Sequence, residues 1–231
     1  VDLQSFSSIN VVFDAAFNSF KVAFIGAFVI ISFATFIIFT KRIFKINILS
    51  FIINFSKIGY AAPGIVIAIG VISPSLFVDK HINQFFSYFG KDIGLILSGS
   101  ITILIFAYMV RFLSVAFNPI ESGLEKVSEK IDYSALNLGA NKQTLLFKIH
   151  LPMIISSCLI AFLLIFIDIL KELPITLILR PFNYNTLSVL TFEYASSEQL
   201  AQAALPALLI TIIGFFSLLF IYKILNDREG N

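Results

Sequence analysis

Tyr133-Ser-Ala-Leu-Asn-Leu-Gly139, followed ten residues later by Ile149-His-Leu-Pro152, is the stretch on which the reading of this chain turns. Tyr133, Ala135, Leu136 and Leu138 predict a helix over about 132–141 that Gly139 ends or breaks. A second short helix is expected over about 142–149. Pro152 suits the first turn of a further helix, where its missing N–H is not needed. The apolar run that begins at Met153 is long enough to be a membrane span. The unit is therefore helix, glycine turn, helix, proline, span: a lever joined stiffly to a membrane helix.

Immediately upstream, Asn118-Pro119 is expected to end the preceding span, and residues 121–130 to form a short charged helix. Most of its helical-spacing pairs are like-charged, as with Glu121 and Glu125 or Lys126 and Lys130, and Gly123 weakens it further. That segment reads as a solvated linker.

Further out, composition sets the environment. Of 231 residues 58% are hydrophobic and 13% charged, about half the charged share of a soluble globular domain. The chain is read as an all-α polytopic membrane protein. Five runs approach the roughly 20 apolar residues a span needs: 20–39, 58–78, 93–112, 153–170 and 203–224. Together they are expected to form one transmembrane domain over 1–231, with a polar loop over about 118–152. Residues 46–55 are too short to cross and read as an interfacial helix. Residues 173–179 are also short, and read as a re-entrant or capping segment. With 27 Phe and no Trp, the Phe excess reads as lipid-facing bulk, and Tyr must serve the interface belts.

Basic residues orient the spans. Lys41, Arg42, Lys45, Lys57, Arg111, Lys126, Lys130, Lys142, Lys148, Lys223 and Arg228 fall on one side; only Lys21, Lys80, Lys91, Lys171 and Arg180 fall on the other. The positive-inside rule puts the Gly139 loop in the cytoplasm, the N-terminus outside and the C-terminus inside. Pro63-Gly64 and Ser73-Pro74 interrupt the second span, whose freed backbone groups need protein or water, so that span is expected to be buried in the bundle. Gly94 and Ser98 are read as a close-packing face of the third.

The fourth span ends in Asp168, Lys171, Glu172, Pro174, Arg180 and Pro181, a charged cluster at the expected outer edge. Asp168, Lys171 and Glu172 fall within about one helical turn and share a face, with Lys171 as the cation that keeps Asp168 charged. Two readings stay open: headgroup anchoring by snorkelling cations, or a role in gating or docking. No metal site is expected. His81 and His150 lie in separate loops without ligand partners, and the lone Cys158 sits in an apolar run. Gly90-Lys91-Asp92 is no P-loop, so no catalytic residue is assigned, the chain is not read as an enzyme, and no cofactor is expected. A net charge of +2 gives no reason to expect a nucleic-acid partner.

The pattern Gly139, Ile149, Leu151, Pro152 resembles the "EAA" loop of bacterial ABC-importer permeases, where the membrane subunit docks on its ATPase. The resemblance implies a coupling role for Tyr133, Ser134, Ala135, Leu138, Gly139, Ala140, Ile149, Leu151 and Pro152. The name-giving triplet departs: Tyr133 and Ser134 replace its Glu and first Ala, and Ala135 alone matches. A narrower likeness runs from Ala61-Ala-Pro-Gly64 to the last span. Lys171-Glu-Leu-Pro-Ile-Thr-Leu-Ile-Leu-Arg-Pro-Phe-Asn-Tyr-Asn-Thr-Leu187, with Ala203-Ala-Leu-Pro-Ala-Leu208, is similar to permeases of ferric-iron ABC importers. Membership would imply a cytoplasmic ABC ATPase dimer, a periplasmic iron-binding protein, a second permease half and residence in the bacterial inner membrane. The chain opens at Val1 without a signal-peptide pattern, and reads either as a fragment or as the second half of a longer permease. Two alternatives remain at this stage: the same mechanism with thiamine, a polyamine or another small solute, or an ATPase-independent scaffold or channel.

Overall fold

The computed structural model describes residues 3–91 and 93–229, with side chains described from 9 to 226 except at 92. Val1, Asp92 and the Arg228 side chain, all used in the sequence reading, lie outside the described residues. Ten α-helices and one π-helical turn follow one another, and no strand occurs among the described residues: α1 (Leu3–Phe44), α2 (Asn47–Ala61), α3 (Gly64–Ser87), α4 (Ile101–Glu125), α5 (Glu129–Asn137), α6 (Lys142–Thr144), the π-turn Leu145–His150, α7 (Leu151–Leu170), α8 (Pro174–Leu179), α9 (Leu187–Ser196) and α10 (Leu200–Glu229). Five helices are long and apolar enough to cross a membrane, over Ile9–Phe44, Gly64–Ser87, Ile101–Glu125, Lys142–Leu170 and Leu200–Asn226.

The core is a three-helix packing of α1, α4 and α7. On α1, Ala23, Ala27, Ile30 and Ala34 recur at helical spacing and are fully buried, while Phe13, Phe17, Phe20, Phe24, Phe28 and Phe36 are exposed on the other side. Small residues let neighbouring backbones approach, the main source of helix association in lipid, where apolar burial supplies little drive. The Phe residues form an outward apolar face, from which Phe20 and Phe24 also reach Phe166 and Phe162 of α7 edge-on. Leu104, Ala107, Tyr108, Ala116, Phe117 and Ile120 of α4 complete the core with Ile154, Ala161, Ile165 and Ile169 of α7. The last helix, α10, is largely exposed along its length.

Several sequence expectations are corrected. The run 93–112 is not one span. Residues 93–100 are not helical, irregular at 93–95 and bent or turned at 96–100, and α4 begins at Ile101 behind a Ser100 cap and runs through Pro119 to Glu125. Gly94 and Ser98 therefore share no helix face; Gly94 has a φ of 69°. The reason is Asp79 on α3. Its carboxylate accepts from the backbone N–H groups of Ile96, Leu97 and Ser98 at 3.2, 2.9 and 2.8 Å, while the Asn83 side chain bonds Gly94 O and Ile93 N–H. The extended α4 also absorbs residues 121–125, so no separate helix covers 121–130. Ser128 instead caps α5. Arg111, counted with the cytoplasmic loop, stands in the interior of α4. The second span is mostly exposed in this chain and not buried in its bundle.

The segment taken as an interfacial helix is also different. Ile46, Asn47 and Ser50, at the start of α2, line a cleft with Lys41, Glu121 and Glu125 at the charged end of the bundle. From there α2 climbs along α4 until Gly59 lies against the Val110 carbonyl. The chain then breaks at Ala62-Pro63, and α3 continues in the same sense toward the start of α4, where Asp79 meets residues 96–98. A second break follows α7. The chain turns at Lys171–Leu173 into the six-residue α8, whose Thr176 hydroxyl lies 2.5 Å from the Tyr108 hydroxyl of α4. Asp168, Lys171 and Glu172 therefore sit beside the interior of α4, level with Arg111, and not at its end.

Candidate functional site

Two constellations stand out: a surface carried on α5 at the charged end, and a buried charge pair halfway up the bundle.

At the charged end, α5 opens on the Ser128 cap, with Glu129 and Asp132 in its first turn, where carboxylates suit the helix dipole. It closes in a Schellman turn. The Ala140 N–H returns to Ala135 O and the Gly139 N–H to Leu136 O, each at 3.0 Å. Gly139 has a φ of 85°, which L side chains adopt at a cost, and an added Cβ there would meet nothing within 4 Å. Its requirement is conformational, not steric. The helix that the sequence predicted over 132–141 thus runs from Glu129 to Asn137, with Gly139 just past its end.

One face of α5 is anchored and the other is bare. Ala135 is buried against Phe39 of α1 and Leu145 of the π-turn, with Ala140 and Ile149 packed beside them. Tyr133, Ser134, Leu136 and Leu138 face outward, as does Phe147; Leu138 is 90% exposed. Leu151 packs on the main core and Pro152 lies in the first turn of α7. Of the nine residues proposed for a coupling loop, Ala135, Ala140, Ile149 and Leu151 thus hold the element to the bundle. Tyr133, Ser134 and Leu138 are available to a partner.

Beneath that surface is a network the sequence reading missed. Arg42, at the end of α1, donates Nε to Asp132 Oδ2 at 2.7 Å, Nη1 to Leu124 O at 2.6 Å and Nη2 to Val127 O at 2.7 Å. The other Asp132 oxygen, Oδ1, lies 2.6 Å from His150 Nε2, and the imidazole stands edge-on to Phe39. The Asp132 carboxylate therefore ties α5 to α1 and to the entry of α7, and Arg42 extends the tie to the end of α4. A peripheral tie joins Lys41 to Glu121 at 2.7 Å. Arg42 looked like an ordinary topology charge and His150 like a lone loop histidine, because their common partner is 90 residues from one and 18 from the other.

The upper cluster divides differently from the expectation. Asp168 and Lys171 pair at 2.8 Å, with Lys171 60% exposed and Asp168 13%. Glu172 does not share their face. It lies past the end of α7, and its Oε2 stands 3.6 Å from Nε of Arg111 on α4. Pro174 opens α8, and Gly64 opens α3 at the same place: a Cβ on Gly64 would fall 2.5 Å from Arg111 Nη1, 2.7 Å from Glu172 Oε1 and 3.2 Å from Pro174 Cβ. A larger residue at 64 would have to displace the ends of the Arg111 and Glu172 side chains. Arg180, which caps α8, reaches Asn185 and, at 2.7 Å, Glu193 of α9, while Pro181 O accepts from the Tyr184 N–H. The six residues read as one edge cluster thus form three separate groups. Among the described residues no cluster of three or more His, Cys, Asp and Glu forms a metal site.

Residues 47–230 match the family of binding-protein-dependent transport system inner membrane components, and the chain belongs to that family. It is 26% identical over 210 residues to the Fe(3+)-transport system permease protein FbpB 2 of Haemophilus influenzae. That match covers 91% of this chain and 38% of the relative, so the chain spans well under half the length of that curated protein. Its fold is shared with solved ABC transporters. One is the inward-facing MetNI methionine transporter (TM-score 0.63, 14% identity, 97% of this chain and 99% of that one). Another is a bacterial alginate transporter in complex with an alginate pentasaccharide-bound periplasmic protein (0.67, 14%, 90% and 76%). A third is an amino acid transporter with histidines (0.57, 18%, 99% and 98%).

Proposed function

We propose that this member of the family is a permease subunit of an ATP-driven importer whose cargo is ferric iron. The observation that carries the cargo is the likeness to an Fe(3+)-transport permease across nearly the whole chain. In this reading the charged end faces the cytoplasm, as the distribution of basic residues favours. The Tyr133–Leu138 face of α5 docks on an ABC ATPase dimer, and Asp132 passes its displacement to α1, α4 and α7. Since α1, α2 and α3 leave broad apolar surface uncovered, a second permease half completes the path. A periplasmic iron-binding protein delivers the cargo at the opposite end, where Arg180 and Pro181 form part of the docking region. The single domain, with its coupling loop over about 118–152, acts as one moving half, and Asp168, Lys171, Glu172 and Pro174 border the path. ATP hydrolysis belongs to the partner.

The test is expression of the complete transporter with its neighbouring genes, followed by purification through this chain and uptake of radiolabelled ferric iron. Recovery of a nucleotide-binding subunit and ATP-dependent iron uptake are expected. Recovery of the ATPase with uptake of thiamine or a polyamine in place of iron would change the cargo alone. A chain that purifies without any ATPase and conducts passively would make it a channel or scaffold.

A further inference from the structure

Arg111 lies ten residues from the start of α4 and fourteen from its end, so about 15 and 21 Å of helix separate it from the two ends. Two helix breaks meet it there: Ala62-Pro63 between α2 and α3, and Lys171–Leu173 between α7 and α8. Ionisable groups at such depth are expensive and mark functional positions by default, and broken helices at mid-bundle are where transporters form substrate sites.

The pair is not built as a structural one. The other ion pairs with a buried or part-buried member, those of Lys41, Arg42, His150, Lys171 and Arg180, are closed at 2.6–2.8 Å, and only the solvent-exposed Lys45–Glu129 pair is looser, at 3.8 Å. Arg111 and Glu172, 19% and 8% exposed, stand 3.6 Å apart, and Arg111 Nε and Nη1 are buried without a hydrogen-bond partner. A buried pair offsets its desolvation only when its geometry is good and its remaining donors are met. Here neither condition holds, so stability does not account for the pair.

The two partners differ in freedom. The main-chain carbonyl of Glu172 accepts from Thr176 Oγ1 at 2.6 Å and Ser188 Oγ at 3.1 Å, and Oε1 accepts from the Ile175 N–H at 3.4 Å. The start of α3 at Gly64 adds a helix N-terminus beside the carboxylate. Glu172 is thus fixed, while Arg111 approaches on a long side chain from another helix. We propose that Glu172 is the fixed anionic group that meets a cationic substrate in the path, and that Arg111 is the exchangeable counter-ion that neutralises it when the path is empty. This rests on the transporter reading but not on iron in particular, because ferric iron, thiamine and polyamines are all cationic.

The experiment measures uptake by the complete transporter in cells, with its amount in the membrane quantified in parallel. Glu172→Gln is expected to raise KM about tenfold or more, the scale of one lost charge contact, and Glu172→Asp to recover part of that. Arg111→Gln is expected to lower Vmax without raising KM, since the cation is then held and released slowly. Arg111→Lys should keep most of the uptake. Unchanged KM and Vmax in Glu172→Gln, or wild-type uptake by the Arg111→Gln/Glu172→Gln double variant, would overturn the proposal. So would an equal loss of membrane-assembled complex in all four single variants, which marks a purely structural pair. If the wild-type transporter takes up no ferric iron, the cargo reading fails alone, and the same variants are assayed with radiolabelled thiamine and spermidine. A wild-type transporter that carries only an anion or a neutral solute would overturn the pair's role and leave the permease assignment intact.

Discussion

Asp132 and His150 share a 2.6 Å hydrogen bond at the buried root of α5, although the Schellman turn and the π-turn separate them in the chain. Because the other Asp132 oxygen holds Arg42, the short helix is tied to two of the three core helices. Asp132→Ala should strand Arg42 and His150 together, and losing one member of a buried pair costs about 3–5 kcal/mol. The purified complex is expected to melt at clearly lower temperature. Tyr133→Ala, on the bare face, should leave melting unchanged and reduce the ATPase recovered with the permease. Equal melting in the two variants would show that Asp132 does not anchor α5.

Gly139→Val is expected to insert normally and to weaken ATPase association. The cost is backbone strain of roughly 1–2 kcal/mol, as for L residues other than Asn and Asp in the left-handed region, since no neighbour stands in the way. Gly139→Asn should lose less, because asparagine tolerates that conformation. Co-purification of the two variants at wild-type level would remove the conformational argument.

The orientation is checked by thiol labelling in a Cys158→Ala background. Lys142→Cys should be protected from an impermeant reagent in intact cells, and Lys91→Cys should be labelled. Reaction at position 142 from outside would invert the bundle and displace the ATPase from α5.

The Asp168–Lys171 pair predicts compensation. Asp168→Ala and Lys171→Ala should each reduce uptake, and their combination should recover part of it, because a lone charge at partial burial is worse than none. Glu172 belongs to a different pair, yet it is the chain neighbour of Lys171 and close enough to interact with both Asp168 and Lys171, so the effects of Glu172→Gln and Lys171→Ala are expected to be non-additive. Uptake at the wild-type level in both single variants would show that the pair has no part in uptake.

The number and kind of elements were legible because length and apolarity define spans, and Ala135 was legible because its spacing to Gly139 and Pro152 is local. Arg111 was misplaced for a definite reason. Ile93, Leu95, Ile96 and Leu97 are as apolar as a helix interior, so hydropathy runs straight through a turn that Asp79 holds by backbone N–H groups. A carboxylate whose partners are main-chain atoms leaves no trace at those partners' side chains. Glu172 was assigned to the face of Asp168 by assuming that α7 continued, whereas it stops at Leu170. Arg42, Asp132 and His150 are unremarkable singly, and only the packing of α1 against α5 makes them a unit.

The junction of α2 with α3 has a mechanical meaning beyond position. The α2 ladder closes with the Ala62 N–H on Ile58 O, the α3 ladder opens with the Val66 N–H on Pro63 O, and Pro63 between them has no N–H to give. Straight rods bend by breaking bonds, whereas an elbow made this way can change its angle through torsion alone. Pro74 of α3, Pro119 of α4 and Pro206 of α10 lie within continuous helices, so residues 62–63, like the break at 171–173, are places where the chain can bend without opening a helix, and the first of them holds Gly64 against Arg111.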